Sequence, residues 1–232
     1  RLESVGFGGG VLRLGLGRGG GGVRFPVVVT PSGAKRGQRV SVEALLGSGD
    51  SVEGGGGEGV AYGLVMHALF ERVGFLDEAA APSGGGDWLG VAEAAWGRFG
   101  LRGVEAGEVA SRFGAMLERE DVRRALGRRG SVGGEDAVEL WRERRFAALV
   151  EGRLVKGVFD RVVLAGNGSA RVLDLKTDRV GSGEELVERY RPQMAMYRSA
   201  LGVMLGVEEA RVSVALLAMG LEGGAVVEVG FD

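Results

Sequence analysis

The chain has 232 residues, 45% of them apolar and 26% charged, with a formal net charge of −2. That is enough for one ordinary globular domain or two small ones, and it excludes a uniformly basic nucleic-acid coat while leaving room for a local basic groove. There is no cysteine, which excludes disulfides, zinc–thiolate sites and cysteine-ligated iron–sulfur clusters. No run of about 18 apolar residues is present to form a membrane-spanning helix.

Glycine supplies 46 residues, and 19 of these fall in the first 60. Residues 1–59 read as short apolar runs cut by glycine tracts at Gly19–Gly22 and Gly54–Gly57. Val11–Leu16 and Val23–Val29 have strand character, but the tracts are flexible linker material. No G-K-[ST] follows them, so they do not form a phosphate loop. The expectation is a connector from a larger protein. The opening on Arg1 rather than Met, with no signal-peptide pattern, fits a piece of a longer chain.

Residues 60–78 carry helical spacing: Leu64, His67, Ala68 and Glu71 share one side, with Val65, Leu69 and Val73 beside them. Further helices are expected over about 87–99 and 105–127. From about 137 the period changes. Residues 139–149 alternate loosely, 152–164 read as a strand, Asn167-Gly168 is a hairpin turn, and 170–177 is the return strand. A long amphipathic helix follows over 183–204. Then come a near-continuous apolar strand over 210–219, the pattern of one buried on both faces, and a short strand over 225–229. This order predicts an α/β or α+β domain with a mixed central sheet.

The chemistry concentrates in 157–176. Asp160 interrupts an apolar strand, and Asp174-Leu175-Lys176 ends the return strand. Only three lysines stand among 29 basic residues, so a lysine inside an apolar strand is unlikely filler. Asp174 and Lys176 are two apart and project from one face. Buried carboxylates beside a lysine are costly unless compensated, by an ion pair or by a hard divalent cation with oxygen ligands. The single histidine, His67, precedes Glu71 by one helical turn.

The string Tyr62–Glu71 (YGLVMHALFE) resembles the G-x-x-x-H-x-x-[LF]-E helix of RecB-type and AddA-type nuclease domains. Residues 152–178 resemble that family's G-x-[IF]-D-[RL] and D-[YL]-K-T-D strands, and 186–201 its Y-x-x-Q-x-x-x-Y helix. The resemblance covers about 60–220. It implies the restriction-endonuclease-like PD-(D/E)XK fold, an α/β fold with a mixed central sheet flanked by helices, here the nuclease module of a UvrD-like helicase–nuclease, with the domain at 60–232. It further implies a metal-dependent deoxyribonuclease of exonuclease type. Such a module acts on single-stranded DNA ends in recombination and repair, beside a helicase motor, in the bacterial cytoplasm. Carried over by motif, Asp160 and Asp174 match metal-binding carboxylates, His67 an additional ligand, and the carbonyl of Leu175 a further oxygen ligand. Lys176 matches the lysine that orients the attacking water. Gln193 and Tyr197 match a motif that positions DNA or Lys176. Glu143 resembles the glutamate of the preceding strand, and Tyr190 and Glu71, the first Tyr and the last Glu of the quoted helix motifs, are further candidates. Mg²⁺ or Mn²⁺ is the implied cofactor. The middle of D-x-K is Leu175 in place of the usual Tyr, and Leu64 stands where Thr or Ser is common. Arg179, Arg189, Arg191 and Arg198 are expected phosphate contacts or a solvated helix face. The alternative function is a catalytically inactive nuclease fold that binds DNA or docks a subunit.

Overall fold

The computed structural model describes residues 6–7, 10–11, 28–31, 57–77, 87–99, 105–221 and 225–231. Most of the glycine-rich segment 1–59 lies outside the described residues. Its described strands are β1 (Gly6–Phe7), β2 (Gly10–Val11) and β3 (Val28–Val29). Four helices follow: α1 (Gly57–Arg72), α2 (Trp88–Phe99), α3 (Ala106–Leu117) and α4 (Glu120–Leu126). Then come β4 (Ala137–Val150), β5 (Arg153–Ala165), β6 (Ala170–Lys176), α5 (Gly183–Leu205), β7 (Val212–Ala218) and β8 (Val226–Glu228).

The sheet runs β3-β5-β6-β7-β8, with β4 also paired to β5. β4 and β5 form a long antiparallel ribbon that closes between Val150 and Arg153. Its two loop residues, Glu151 and Gly152, both have positive φ (48° and 74°). That is the turn whose twist matches the strands it joins. The Asn167-Gly168 turn is where the sequence places it. Gly168 has φ 84°, and Ser169 N–H donates to Asn167 Oδ1 at 2.9 Å. β6 and β7 are parallel, and α5 is the crossover between them. Ser182 caps α5 by accepting from Glu185 N–H at 3.2 Å, and Gly206 ends it in the left-handed conformation.

The sheet is buried on both faces, which is why β6 and β7 are almost wholly apolar. Leu173, Leu175, Ala215 and Leu217 face α1–α4, packing with Val65, Leu69, Phe113 and Leu126. Val172, Val214 and Leu216 face α5, packing with Leu186, Met194 and Leu201. The mixed sheet flanked by helices is the architecture the sequence predicts.

One expected helix is two. The stretch 105–127 breaks between Leu117 and Glu120. An unbroken helix would carry Glu120 and Arg124 onto the stripe of Met116, four and eight residues on. The break re-phases the chain so that Val122, Ala125 and Leu126 are buried instead. Asp121 Oδ2 then accepts the N–H groups of Ala225 (2.7 Å) and Val226 (3.2 Å), tying α4 to the strand at the sheet edge.

Phe146 and Phe159 stack across the ribbon with ring centroids 4.1 Å apart. The gap they fill exists because Gly157 has no side chain: a Cβ there would fall 2.9 Å from two Phe146 ring carbons. Gly157→Ala should therefore lower stability by about 1–3 kcal/mol, the usual cost of overpacking. Gly97→Ala, in an exposed stretch of α2 with nothing within 4 Å, should raise it by about 0.5–1 kcal/mol. Thermal or urea melts of the two variants check both signs.

Candidate active site

β4 occupies one edge of β5 along its whole length, so β3 and β6 share the other edge. β6 pairs with β5 only over Arg161–Leu164, and β3 only at Leu154–Val155. Between them, residues 156–160 of β5 present an open edge. Asp160 stands at the fork. The register would continue with Asp160 opposite Asp174 and then Phe159 opposite Leu175; instead, Asp160 Oδ2 accepts the Leu175 N–H at 2.8 Å. A side chain replaces the ladder bond, and the two strands separate.

β4 and β5 also change face at this level. Leu140 packs with Phe75 and Val163, whereas Phe146 and Ala148 pack beneath α5. These β4 positions are all even, so strict alternation would keep them on one face. On β5, Val163 and Ala165 are separated in the same way from Val155 and Phe159. Glu143 lies inside this change with φ 45°, a left-handed conformation uncommon outside glycine. It falls between the pairs Arg142–Arg161 and Arg144–Phe159, level with Asp160.

His67 completes the group from α1. Its Nδ1 lies 3.6 Å from Asp160 Oδ2 and 4.0 Å from Glu143 Oε1. Ligand atoms of His67, Glu143 and Asp160 all lie within 4.8 Å of one another. Asp174 and Lys176 share one face, as their spacing predicts, and that face is the α5 side. Asp174, its side chain only 3% exposed, pairs through Oδ2 with Lys176 Nζ at 2.5 Å. Asp174 is not part of the three-residue cluster in these geometric terms; its charge nevertheless acts on Asp160 and Glu143. Leu175 contributes its N–H to Asp160. Glu71 is exposed, and its charge also acts on Glu143.

Lys176 is held on three sides. Its Nζ reaches Asp174, donates to Gln193 Oε1 at 3.3 Å, and lies 4.2 Å from the Tyr190 ring centroid. Gln193 Nε2 donates to Tyr197 Oη at 3.2 Å, and Tyr197 O–H donates to the Val158 carbonyl at 2.9 Å. This relay fixes which end of the Gln193 amide faces the lysine: Tyr197 spends its proton on Val158 and so requires a donor, leaving the amide oxygen for Lys176. The open edge of β5 is the far end of the relay. Tyr190 O–H donates to Asp178 Oδ2 at 2.6 Å. Burial, and then Asp178, raise the Tyr190 pKa; burial, and then Asp174 and Asp160, raise that of Tyr197. Both phenols therefore act as neutral groups.

The expected basic residues behave differently. Arg189 pairs with Glu185 (2.7 Å) and Asp178 (3.5 Å), Arg191 donates to the Gly230 carbonyl, and Arg198 donates to the Glu209 carbonyl at 2.9 Å. These three are engaged within the fold.

A family profile for the PD-(D/E)XK nuclease superfamily matches residues 45–228. The chain belongs to that superfamily. Its members are generally metal-dependent nucleases. A search of curated proteins finds no match. Among the described residues no helix is long and apolar enough to cross a membrane.

The site fits the divalent cation that the superfamily implies. Glu143 Oε1 is buried with no hydrogen-bond donor, and Asp174 Oδ2 meets Lys176 only as an ion pair, off hydrogen-bond direction. Burial, then the charges of Asp160, Glu71 and Asp174, push Glu143 up to about 7. Burial, then Asp174, push Asp160 up to about 6, against the opposing pull of His67, Lys176 and the Leu175 N–H. A carboxylate–imidazole set with unmet acceptors and mutual repulsion is a donor set for a hard or borderline cation.

Two residues inside these motifs are given no role by the sequence reading. Arg161, directly after Asp160, is buried; Thr177, directly after Lys176, lies where a Cβ at Gly63 of α1 would approach within 3.3 Å. The signal for Arg161 is a cation inside the apolar run Val158–Leu164.

Raised carboxylate pKa values set a pH dependence. Glu143 and Asp160 bind protons more tightly folded than unfolded, so their contribution to stability is full below about pH 4 and is lost as pH rises through 6 and 7. Asp77 and Asp121, each held by two backbone N–H groups against the cost of burial, have lowered values and act oppositely, in acid only. The melting temperature of the metal-free chain should therefore fall between about pH 5 and 8. Glu143→Gln should flatten that slope, as differential scanning calorimetry across the range will show.

Proposed function

We propose that the chain is a metal-dependent deoxyribonuclease that hydrolyses phosphodiester bonds at the fork between β5 and β6. The observation carrying this reading is the convergence of His67, Glu143 and Asp160 with a buried Asp174–Lys176 pair, where the sheet opens. His67, Glu143 and Asp160 would hold Mg²⁺ or Mn²⁺, with Asp174 and the Leu175 carbonyl completing the set. A bound cation polarises a phosphoryl oxygen and lowers the pKa of its water. Lys176 supplies a fixed positive charge toward developing negative charge on the phosphate. Gln193, Tyr197 and Tyr190 hold that ammonium in place, so it needs no reorganisation during reaction.

The motif set His67, Asp160, Asp174, Lys176, Gln193 and Tyr197, in one order along the chain, supports a finer assignment. We place the domain, 60–232, in the RecB/AddA-like branch: an exonuclease-type module fed single-stranded DNA ends by a helicase motor, acting in recombination and repair. Residues 1–59 serve as its connector, with β3 laid against β5.

Arg142, Arg144 and Arg145 flank Glu143 on β4, are exposed, and have no carboxylate partner among the described residues. Arg144 also lies 5.5 Å from the Trp141 ring centroid. These arginines suit the phosphates either side of the bond cut, the role first expected of the α5 arginines. Arg144→Ala/Arg145→Ala should weaken DNA binding and make log K less steep against log salt, by about one for each phosphate left unneutralised. An unchanged slope in a fluorescence-anisotropy titration against salt removes them from the interface.

The activity is tested on linear single-stranded DNA with Mg²⁺, Mn²⁺ or EDTA. Asp174→Asn and Lys176→Met should each reduce cleavage by at least about 10²-fold. Replacements of similar size are preferable to Ala, because each variant already strands the partner's charge and Ala would add a cavity to that cost. Lys176→Met should still bind Mn²⁺ in calorimetry. Cleavage that persists in EDTA overturns the metal-dependent reading, whereas DNA binding unchanged in EDTA with no cleavage in Mn²⁺ supports instead an inactive fold used for binding.

A further inference from the structure

We infer that Arg161 is a positioning residue for His67, holding α1 so that the imidazole meets Asp160, with the close approach of Gly63 to Thr177 as the second constraint. The inference rests on the metal-site reading of His67. Arg161 is 1% exposed, and no carboxylate pairs with it among the described residues. Both terminal nitrogens of its guanidinium donate to main-chain carbonyls where helices end, while the buried Nε has no partner among the described residues. Nη1 donates to Val73 O at 2.8 Å, and Nη2 to Gly74 O at 2.9 Å and to Leu126 O at 3.3 Å. Val73 and Gly74 directly follow α1, and Leu126 ends α4. Helix C-termini carry partial negative charge, so two of them converge on one cation. Burial, then nearby Arg142, lower the Arg161 pKa to about 9, which leaves it charged at neutral pH.

An apolar side chain would fill this space without the cost of burying a charge. What the guanidinium adds is direction. Val65, Met66, Leu69 and Phe70 pack on apolar neighbours, and such packing opposes sliding of the helix only weakly. The second constraint lies at the other end of α1. A Cβ at Gly63 would fall 3.3 Å from Thr177 Oγ1, so the helix backbone passes close to the residue after Lys176 and any larger residue at 63 would press on it. The two points, Gly63 and Val73, are ten residues apart, about 15 Å of helix, and His67 lies between them. A slip of one residue would turn the helix by about 100° and aim His67 elsewhere. The residue after Asp160 and the residue after Lys176 thus both constrain the helix that carries the third functional side chain.

His67 is the only histidine, so its imidazole gives a single NMR signal that reports its surroundings without metal. In the full chain, Arg161→Met should melt cooperatively, shift or broaden that signal at fixed pH, and weaken Mn²⁺ binding about tenfold or more in calorimetry. Adding His67→Ala to Arg161→Met should cost no further Mn²⁺ affinity, although His67→Ala alone weakens binding. Arg161→Lys should fall between wild type and Arg161→Met, and it carries the same comparison if the Met variant does not fold. Gly63→Ala should perturb the same signal, and Thr177→Ala added to it should restore the signal. A lower melting temperature with the imidazole signal unchanged, or His67→Ala costing as much affinity in the Arg161→Met chain as in wild type, overturns the inference and leaves Arg161 a helix cap. A wild-type chain that binds no Mn²⁺ refutes the metal reading of His67, and the inference that depends on it; an unmoved imidazole signal in a chain that does bind Mn²⁺ refutes the positioning role alone.

Discussion

The hydrogen bond from Leu175 N–H to Asp160 Oδ2 is the constraint on which the site depends. It ends one ladder and begins a cleft. Above it, β5 and β6 are ordinary sheet; below it, β5 has a free edge that α5 reaches through Tyr197. A strand that stayed paired would bury Asp160 and Asp174 with no route for a substrate. A strand that parted without a substitute bond would leave a buried N–H unmet, at a cost of about 1–3 kcal/mol. One carboxylate oxygen serves both purposes.

The charges around that fork are arranged in two groups. On the α1 side, acceptors outnumber donors: Glu143 and Asp160 face one imidazole. On the α5 side, Lys176 is over-supplied, with a carboxylate, an amide oxygen and an aromatic face. The first group is destabilised by its own repulsion, which adds to burial in raising the pKa of both carboxylates. The second is a closed network whose members fix one another. The α1 side is therefore built to gain a cation, and the α5 side to keep the one it has.

Most of this is legible in the sequence, and the gaps have physical causes. The strands, the Asn167-Gly168 turn and α5 follow from period and turn chemistry. The D-x-K pair follows from the scarcity of lysine and a spacing of two. His67 is readable only through its motif, because an imidazole on a helix face has no periodicity of its own. The division of 105–127 was hidden because helical spacing does not report phase at a break. The engagement of Arg189, Arg191 and Arg198 within the fold was hidden because their partners lie up to 39 residues away in sequence. Arg161 was hidden for a similar reason: its acceptors are backbone carbonyls as many as 88 residues away, which no side-chain pattern announces.

Glu143 holds a left-handed backbone conformation that glycine or asparagine adopts at less cost. A strain of this kind costs about 1 kcal/mol or more and is kept only where the surroundings enforce it. Heat tolerance and chemistry are thus opposed at this one position. A library selected only for survival at high temperature would gather Gly or Asn at 143, because each relaxes the chain and removes a repelling charge. Every such gain would be made by dismantling the acidic cluster, so stabilising changes are better sought at exposed positions with free space around them, such as Gly97 of α2.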